Sequence, residues 1–281
     1  MIEEKNKTEK SALYLVATPI GNSSDISERA LKVLEECDFI AAEDTRNTLK
    51  LLNMYGIKKP LVSYHEHNKA SGGERILERI AAGETCVCVT DAGTPAISDP
   101  GADLVRLCIS KGVKVYSVPG ACAAITALTL SGLDTARFVF EGFLPTKNKD
   151  RQKRLAELKT EYRTTVIYEA PHRISDTLKE LYQALGNRRV ALCREITKLN
   201  EQIIRTDLMN AADLYDESSP RGEFVIVLEG AEEREESFDG ISPKEHVEMY
   251  EKEGYSRMDA IKKAAKERNI PKSELYAILN K

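Results

Sequence analysis

The sequence predicts an α/β protein of two domains followed by a small helical module, and three observations carry that prediction. The chain has 281 residues, the size at which one core stops growing (~250–300 residues) and division into domains of about 100–150 sets in. From Ala12 to about Gly142 short apolar runs alternate with amphipathic segments, the rhythm of βαβ units around a mostly parallel sheet. Beyond the basic stretch 147–154 the apolar runs continue with strands outnumbering helices, which points to a second, mixed sheet.

Taken in order, residues 1–11 are charged and aperiodic and are expected to form a disordered tail. The first domain, 12–145, draws five strands from ALYLVA, DFIAAE, TCVCVT, VKVYSV and FVFEGF. Helices lie between them at SERALKVLEE, TRNTLKLLNMY, GERILERIAA, ADLVRLCISK and ACAAITALTLS. The second domain, 146–230, starts at the basic segment and contains TTVIYEA, the helix HRISDTLKELYQAL, a hairpin of RRVALCRE with EQIIRTDL, and GEFVIVLEG. Residues 231–240, AEEREESFDG, read as an acidic linker. Within 241–281, Ser242, Pro243 and Glu245 form a capping box with proline at the first helical position, and Ser256 with Asp259 starts a second helix in the same way. The run ends as helix, turn, helix.

Composition narrows the function classes. Hydrophobic residues make up 42% and charged residues 31%, the balance of a globular protein. No apolar run reaches the roughly 18 residues of a membrane helix, and the charged start lacks a signal-peptide core, so a cytoplasmic location is expected. The six cysteines (Cys37, Cys86, Cys88, Cys108, Cys122, Cys193) have no CxxC spacing and read as buried thiols; Cys86 and Cys88, two apart in a strand, should share one face. His65 and His67 lack a convincing third ligand, and no metal is expected. A net charge of −4 excludes a uniformly basic surface but permits a local patch. One candidate is the tail from Tyr255 onward, where basic residues exceed acidic ones by four.

The unusual residues gather where strands end, which is where open α/β sheets bind ligands. Thr18-Pro19-Ile20-Gly21-Asn22 forms a tight turn that presents main-chain groups, or serves only as a turn. Glu43-Asp44-Thr45-Arg46 places two carboxylates and a guanidinium at a strand tip, where Asp44 or Thr45 equally suits a helix N-cap. The segment from Thr90 to Gly101, TDAGTPAISDPG, packs two glycines, two prolines and two aspartates between strand and helix; this is the pattern of a binding loop. It matches neither GxxxxGK[ST] nor GxGxxG, which argues against nucleoside triphosphates and dinucleotides. Val118-Pro119-Gly120-Ala121-Cys122 opens a helix with small residues, which suits close ligand approach or close helix packing. Tyr168-Glu169-Ala170-Pro171-His172-Arg173 and Cys193-Arg194-Glu195 repeat the strand-end placement in the second half, either facing a cleft or forming surface ion pairs.

Together the segments LYLVATPIGNSSDIS, AAEDTRNT, VTDAGTPAISDPG, VPGACAAITAL, EGFLP, YEAPHR and CREITKLNEQ resemble, in order, the ribosomal RNA small subunit methyltransferase I family of the tetrapyrrole methylase superfamily. The helical tail resembles a C-terminal module of many members. Ser23-Ser24 departs from the family, which usually has leucine there. The resemblance implies a two-domain tetrapyrrole-methylase-like fold with S-adenosylmethionine in the cleft between the domains, a homodimer, and 2′-O-methylation of a cytidine ribose in the decoding region of 16S ribosomal RNA within the 30S subunit. By the same analogy the donor should contact Pro19, Asp91, Gly93, Thr94, Pro95, Ile97, Ala121, Cys122, Phe143, Tyr168 and Phe224. For the RNA, Arg46, His172, Arg173 and Arg194 are the expected contacts. A base for the hydroxyl proton is sought among Glu43, Asp99, Glu169 and His172, with Glu43 and Asp99 favoured. Two rivals stay open: a small-molecule acceptor such as a tetrapyrrole, and a ribosome-binding protein without catalysis.

Overall fold

The computed structural model describes residues 7–215, 220–232, 241–268 and 270–279. The chain divides into two compact units, Met1–Gly230 and Ala231–Lys281.

The larger unit contains two five-stranded sheets. The first sheet is built from β1 (Ala12–Val16), β2 (Phe39–Ala42), β3 (Leu61–Ser63), β4 (Cys86–Val89) and β5 (Lys114–Val118) in the order β3-β2-β4-β1-β5, all parallel. Helices α1 (Glu28–Glu36), α2 (Thr45–Met54), α3 (Lys69–Ala81), α4 (Gly101–Ser110) and α5 (Ala123–Ser131) connect or follow these strands. Strand alternation divides the side chains between two faces. Ala12, Tyr14, Val16, Val87 and Val89 pack with α1 and Leu52 on one side, while Leu13, Cys86 and Cys88 pack with Ile76, Ile80 and Leu104 on the other. Both faces are covered, so these strands are apolar throughout. Cys86 and Cys88 do share a face, and burial raises both thiols above their ordinary range.

The second sheet has the order β6-β7-β10-β8-β9 and comprises β6 (Phe138–Phe143), β7 (Thr164–Glu169), β8 (Arg189–Arg194), β9 (Gln202–Asp207) and β10 (Phe224–Leu228). It is mixed: β6 runs parallel to β7, whereas β7–β10, β10–β8 and β8–β9 are antiparallel. Helices α6 (Asn148–Leu158), α7 (Ile174–Leu185) and α8 (Leu208–Asp213) contribute Leu155, Leu158, Leu178, Leu181 and Leu208 to its outer core.

Helix α5, which follows β5 of the first sheet, packs on the second sheet with one face, while Ile125 on its other side is 45% exposed. Ala124, Ala127 and Leu128 pack with Val166, Ala191, Cys193, Val225 and Val227 of the second sheet. The helix ends at Gly132, whose left-handed φ of 75° makes it a C-cap.

Three sequence expectations need correction. FVFEGF does not belong to the first domain: β6 pairs with β7, so the passage between sheets precedes Phe138 rather than falling at 145/146. The fifth strand of the first sheet is instead β3, too short and too exposed to show alternation. The supposed boundary segment is α6, whose buried face includes Arg151 beside Leu155 and Leu158. Residues 7–11, expected to be disordered, are held by Thr8–Glu36, Lys10–Asp38 and a bond from the Glu9 amide to the Tyr14 hydroxyl; the rest of that tail, and residues 233–240 of the acidic linker, lie outside the described residues.

The smaller unit consists of α9 (Pro243–Lys252), α10 (Arg257–Glu267) and α11 (Lys272–Leu279) around Val247, Tyr250, Ile261, Ala264 and Leu275. Both expected starts are present: Ser242 and Glu245 close a reciprocal capping box, and the Ser256 hydroxyl accepts from the Asp259 amide. Among the described residues no helix is long and apolar enough to cross a membrane.

Candidate active site

Because β4 lies between β2 and β1, the loops leaving the carboxyl ends of all three strands are neighbours, and hydrogen bonds join them. Thr18 and Gly93 exchange two backbone bonds of 2.9 and 3.0 Å. The Asp91 carboxylate accepts from the Asp44 amide and from Asn47 Nδ2, each at 3.2 Å. The Thr90 hydroxyl donates to Glu43 at 2.8 Å, and the Thr94 hydroxyl donates to the Ala121 carbonyl at 2.9 Å.

The loop Asp91–Gly101 keeps its shape through one carboxylate. Asp99 accepts from the amides of Ala96 (3.0 Å), Ile97 (3.2 Å) and Gly101 (2.7 Å). Ala96 and Ser98 are held in the left-handed region at φ 70° and 65°, conformations that cost non-glycine residues about 1–3 kcal/mol and persist where surrounding structure imposes them. Gly101 is required because a Cβ there would lie 2.7 Å from Asp99 Oδ1 and 2.9 Å from the Ala96 nitrogen.

These loops form one side of a cavity of about 420 Å³, within the range of small-molecule sites. Ile20, Glu43, Thr90 to Thr94, Ile97, Ser98, Asp99, Cys122 and Ala123 line it from the first sheet. Phe143, Tyr168 to Pro171, Ile196 and Glu223 to Val225 line it from the second. Across the cavity the Tyr168 hydroxyl accepts the Ala124 amide at 3.1 Å; burial pushes this phenol up to about 12, so it stays neutral. Partial burial, with the nearby Glu43 charge, also raises the Asp91 carboxyl above its ordinary value against the opposing bond from Asn47.

The second-sheet charges are bound up with one another. Glu169 has a side chain with 0% exposure; it accepts from its neighbour's Ala170 amide (2.8 Å) and the Thr177 hydroxyl (2.6 Å) and pairs with Arg173 at 3.3 Å. Arg151 donates to the same Thr177 oxygen at 2.7 Å and pairs with Glu180 at 2.5 Å. On the next loop, Glu195 and Thr197 adopt φ of 50° and 67°, and Lys198 bridges Glu195 (2.8 Å) and Glu223 (3.0 Å). Gly21 touches this loop so closely that a Cβ would fall 2.4 Å from Lys198 Cγ.

Of the residues singled out from sequence, Glu43, Asp91, Gly93, Thr94, Ile97, Asp99, Cys122, Phe143, Tyr168 and Phe224 line the cavity. Pro19, Pro95 and Ala121 do not line it, although each is the sequence neighbour of a residue that does, Ile20, Thr94 and Cys122. The four expected RNA contacts do not line it. Arg46, 85% exposed, is paired with Asp44 at 2.6 Å; Arg173 also donates to the Leu144 carbonyl; Arg194 donates to the Arg221 carbonyl at 2.7 Å; His172 is exposed. Sequence reasoning missed Ile196, Glu223 and Val225, which enter because β10 pairs between β7 and β8, the strand that the 195–198 loop follows. Ser23-Ser24 forms a single 3-10 turn capped by Asn22 and anchored by the Tyr55 hydroxyl on the Ser23 carbonyl, so the departure there leaves the Pro19–Asn22 turn in place. Among the described residues no group of three or more His, Cys, Asp or Glu is placed to hold a metal ion.

Residues 12–212 match the family model of the tetrapyrrole (corrin/porphyrin) methylases. A ribosomal RNA small subunit methyltransferase I of Halalkalibacterium halodurans is 46% identical over 278 residues, covering 98% of this chain and 96% of the relative. One of Bacillus subtilis is 46% identical over 275 residues, covering 96% and 94%. Among solved structures, a uroporphyrin-III C-methyltransferase from Thermus thermophilus complexed with S-adenyl homocysteine covers 76% of this chain and 96% of its own at 19% identity and a TM-score of 0.54. A cobalt precorrin-4 methyltransferase covers 82% and 98% at 17% identity and a TM-score of 0.58. The shared fold and the near full-length identity make this chain a member of the tetrapyrrole methylase family, in the branch of the ribosomal RNA small subunit methyltransferase I proteins.

Proposed function

We propose that the chain transfers the methyl group of S-adenosylmethionine to the ribose 2′-hydroxyl of a cytidine in the decoding region of 16S ribosomal RNA, acting in the cytoplasm as a homodimer on the 30S subunit. The observation that carries this reading is the convergence of the first-sheet loops on one acid-lined cavity, in a chain matched nearly end to end by relatives named for small-subunit ribosomal RNA methylation. Glu43, Asp91, Asp99 and Glu223 make the lining negative, and Phe143, Tyr168 and Phe224 make it aromatic. That combination suits a sulfonium cation carrying a flat purine. When bound, the donor supplies an electrophilic methyl.

The chain's own contribution is positioning and proton removal. Stitched loops hold both reactants at near-attack distance, worth ~7–11 kcal/mol in favourable cases. A base that takes the hydroxyl proton typically adds ~10²–10⁴-fold. Of the two favoured carboxylates, Glu43 fits that task better. Asp99 spends both oxygens on three loop amides, whereas among the described residues the one hydrogen bond on the Glu43 carboxylate comes from Thr90. Asp99 therefore positions the loop. Glu169, enclosed by Thr177 and Arg173, does the same for the opposite wall.

Mass-spectrometric mapping of ribose methylation in small-subunit RNA, from cells with and without this protein, tests the reading. Loss of one 2′-O-methyl at a decoding-region cytidine is expected; an unchanged map overturns the RNA assignment.

A further inference from the structure

Of the four residues expected to contact RNA, the three arginines are engaged within the protein: Arg173 on Glu169, Arg194 on a carbonyl, Arg46 on Asp44. The cavity itself is acidic, and the chain carries a net charge of −4. A polyanion brought to this cleft needs countercharge from beside it.

Helix α6 carries such charge. Phe143 lines the cavity, the carbonyls of Leu144 and Pro145 are held by Arg173 and Arg151, and the helix begins at Asn148. Its cations divide into two groups. Arg151 is buried and pairs with Glu180 at 2.5 Å, and Arg154, though 46% exposed, is engaged by Glu141 and Glu157, each at 2.6 Å. Lys147, Lys149 and Lys153 are exposed. Lys153, 79% exposed, has a carboxylate, that of Glu157, only at 3.9 Å, and the ion pairs among the described residues include neither Lys147 nor Lys149. This placement opposes stability twice. Cations at a helix start face the positive end of the dipole, and Lys149 and Lys153, four residues apart, repel. The arginine pairs fix the helix; of the three lysines only Lys153 adds to it, through the 3.9 Å contact with Glu157.

We propose that Lys147, Lys149 and Lys153 form an edge that grips RNA phosphates beside the cleft. This inference rests on the reading in which RNA is the acceptor.

The test uses the full chain, a Lys147→Ala/Lys149→Ala/Lys153→Ala variant and the matching triple arginine variant, with small subunits purified from cells lacking the protein. Methyl transfer is followed at rising salt, and donor binding by calorimetry. The alanine variant is expected to raise KM for subunits about tenfold and to flatten the salt slope by roughly 2, at about 0.7–0.9 for each phosphate left without its lysine. Donor affinity and kcat should be unchanged, and the arginine variant should restore KM. An alanine variant with wild-type KM and slope overturns the edge while leaving the acceptor reading intact. A raised KM on subunits with unaltered binding to protein-free ribosomal RNA also overturns it, in favour of a ribosomal protein as the partner of these lysines. A wild-type chain that binds the donor yet methylates no ribosomal RNA overturns both, and is recognised before any variant is made.

Discussion

The two walls of the cavity handle charge differently. On the first-sheet side, polar groups belong to loops that bond to one another mainly through backbone and hydroxyls, leaving Glu43 with a single hydrogen-bond partner among the described residues. On the second-sheet side, Glu169 is closed off by Arg173 and Thr177, and Glu223 is paired with Lys198. On the proposed reading the chemistry lies on the parallel sheet, where strand ends converge, and the mixed sheet supplies a wall that includes Phe143, Tyr168 and Phe224. The contrast teaches that a carboxylate's presence in a lining says little until its partners are counted.

Substitutions on each wall sharpen the contrast. The largest effect is expected from Glu43→Gln: kcat falls about 10²–10⁴-fold while calorimetric donor affinity stays within a few-fold, and full turnover would move the base elsewhere. Gly101→Ala comes next. Its Cβ would meet the Ala96 nitrogen and Asp99, neither free to retreat, at a cost of about 1–3 kcal/mol, read as weaker donor binding and a lower midpoint of urea unfolding. Thr177→Val should destabilise by about 1–3 kcal/mol, because it strips the buried Glu169 of an O–H donor; denaturant titration measures this, and kcat at saturating substrate should hold if this wall is only a support. Tyr168→Phe should cost about 1 kcal/mol of stability for the lost bond from the Ala124 amide.

The smallest effect concerns pH. Asp91 is raised by partial burial, so the folded state binds its proton more tightly than the unfolded state does. Stability therefore declines as pH rises from the unfolded value of about 4 through the folded one, and the penalty is complete above it. Asp91→Asn removes that slope. Because the group is solvent-accessible, the difference in thermal midpoints between pH 4 and 7 should correspond to less than about 1 kcal/mol.

How much of this was legible depended on range. Strands with continuous apolar runs, such as those at Val16 and Val89, declared themselves, and so did the loop from Thr90 to Gly101 through its glycines and prolines. Local caps were equally visible, Ser242 with Glu245 above all. What was hidden depended on distant partners. Phe138–Phe143 reads as one more strand of the first sheet, and only its pairing with Thr164–Glu169 assigns it to the second. Helix α6 looked like a basic linker because an arginine takes a core position, compensated by Glu180 far along the chain. Arg173 and Arg194 looked available because sequence shows charges without their counter-groups.

Helix α5 has a thermodynamic corollary. Since α5 and Ile20, both contributed by chain that follows first-sheet strands, complete the core of the second sheet, and the first turn of α5 is tied to Tyr168, the second sheet cannot lose order without exposing apolar surface that the first half of the chain supplies. Residues 12–230 should melt as one cooperative transition, and a molecule seated against Ala123 should raise that single transition, so that protection from hydrogen exchange extends to strands it never touches.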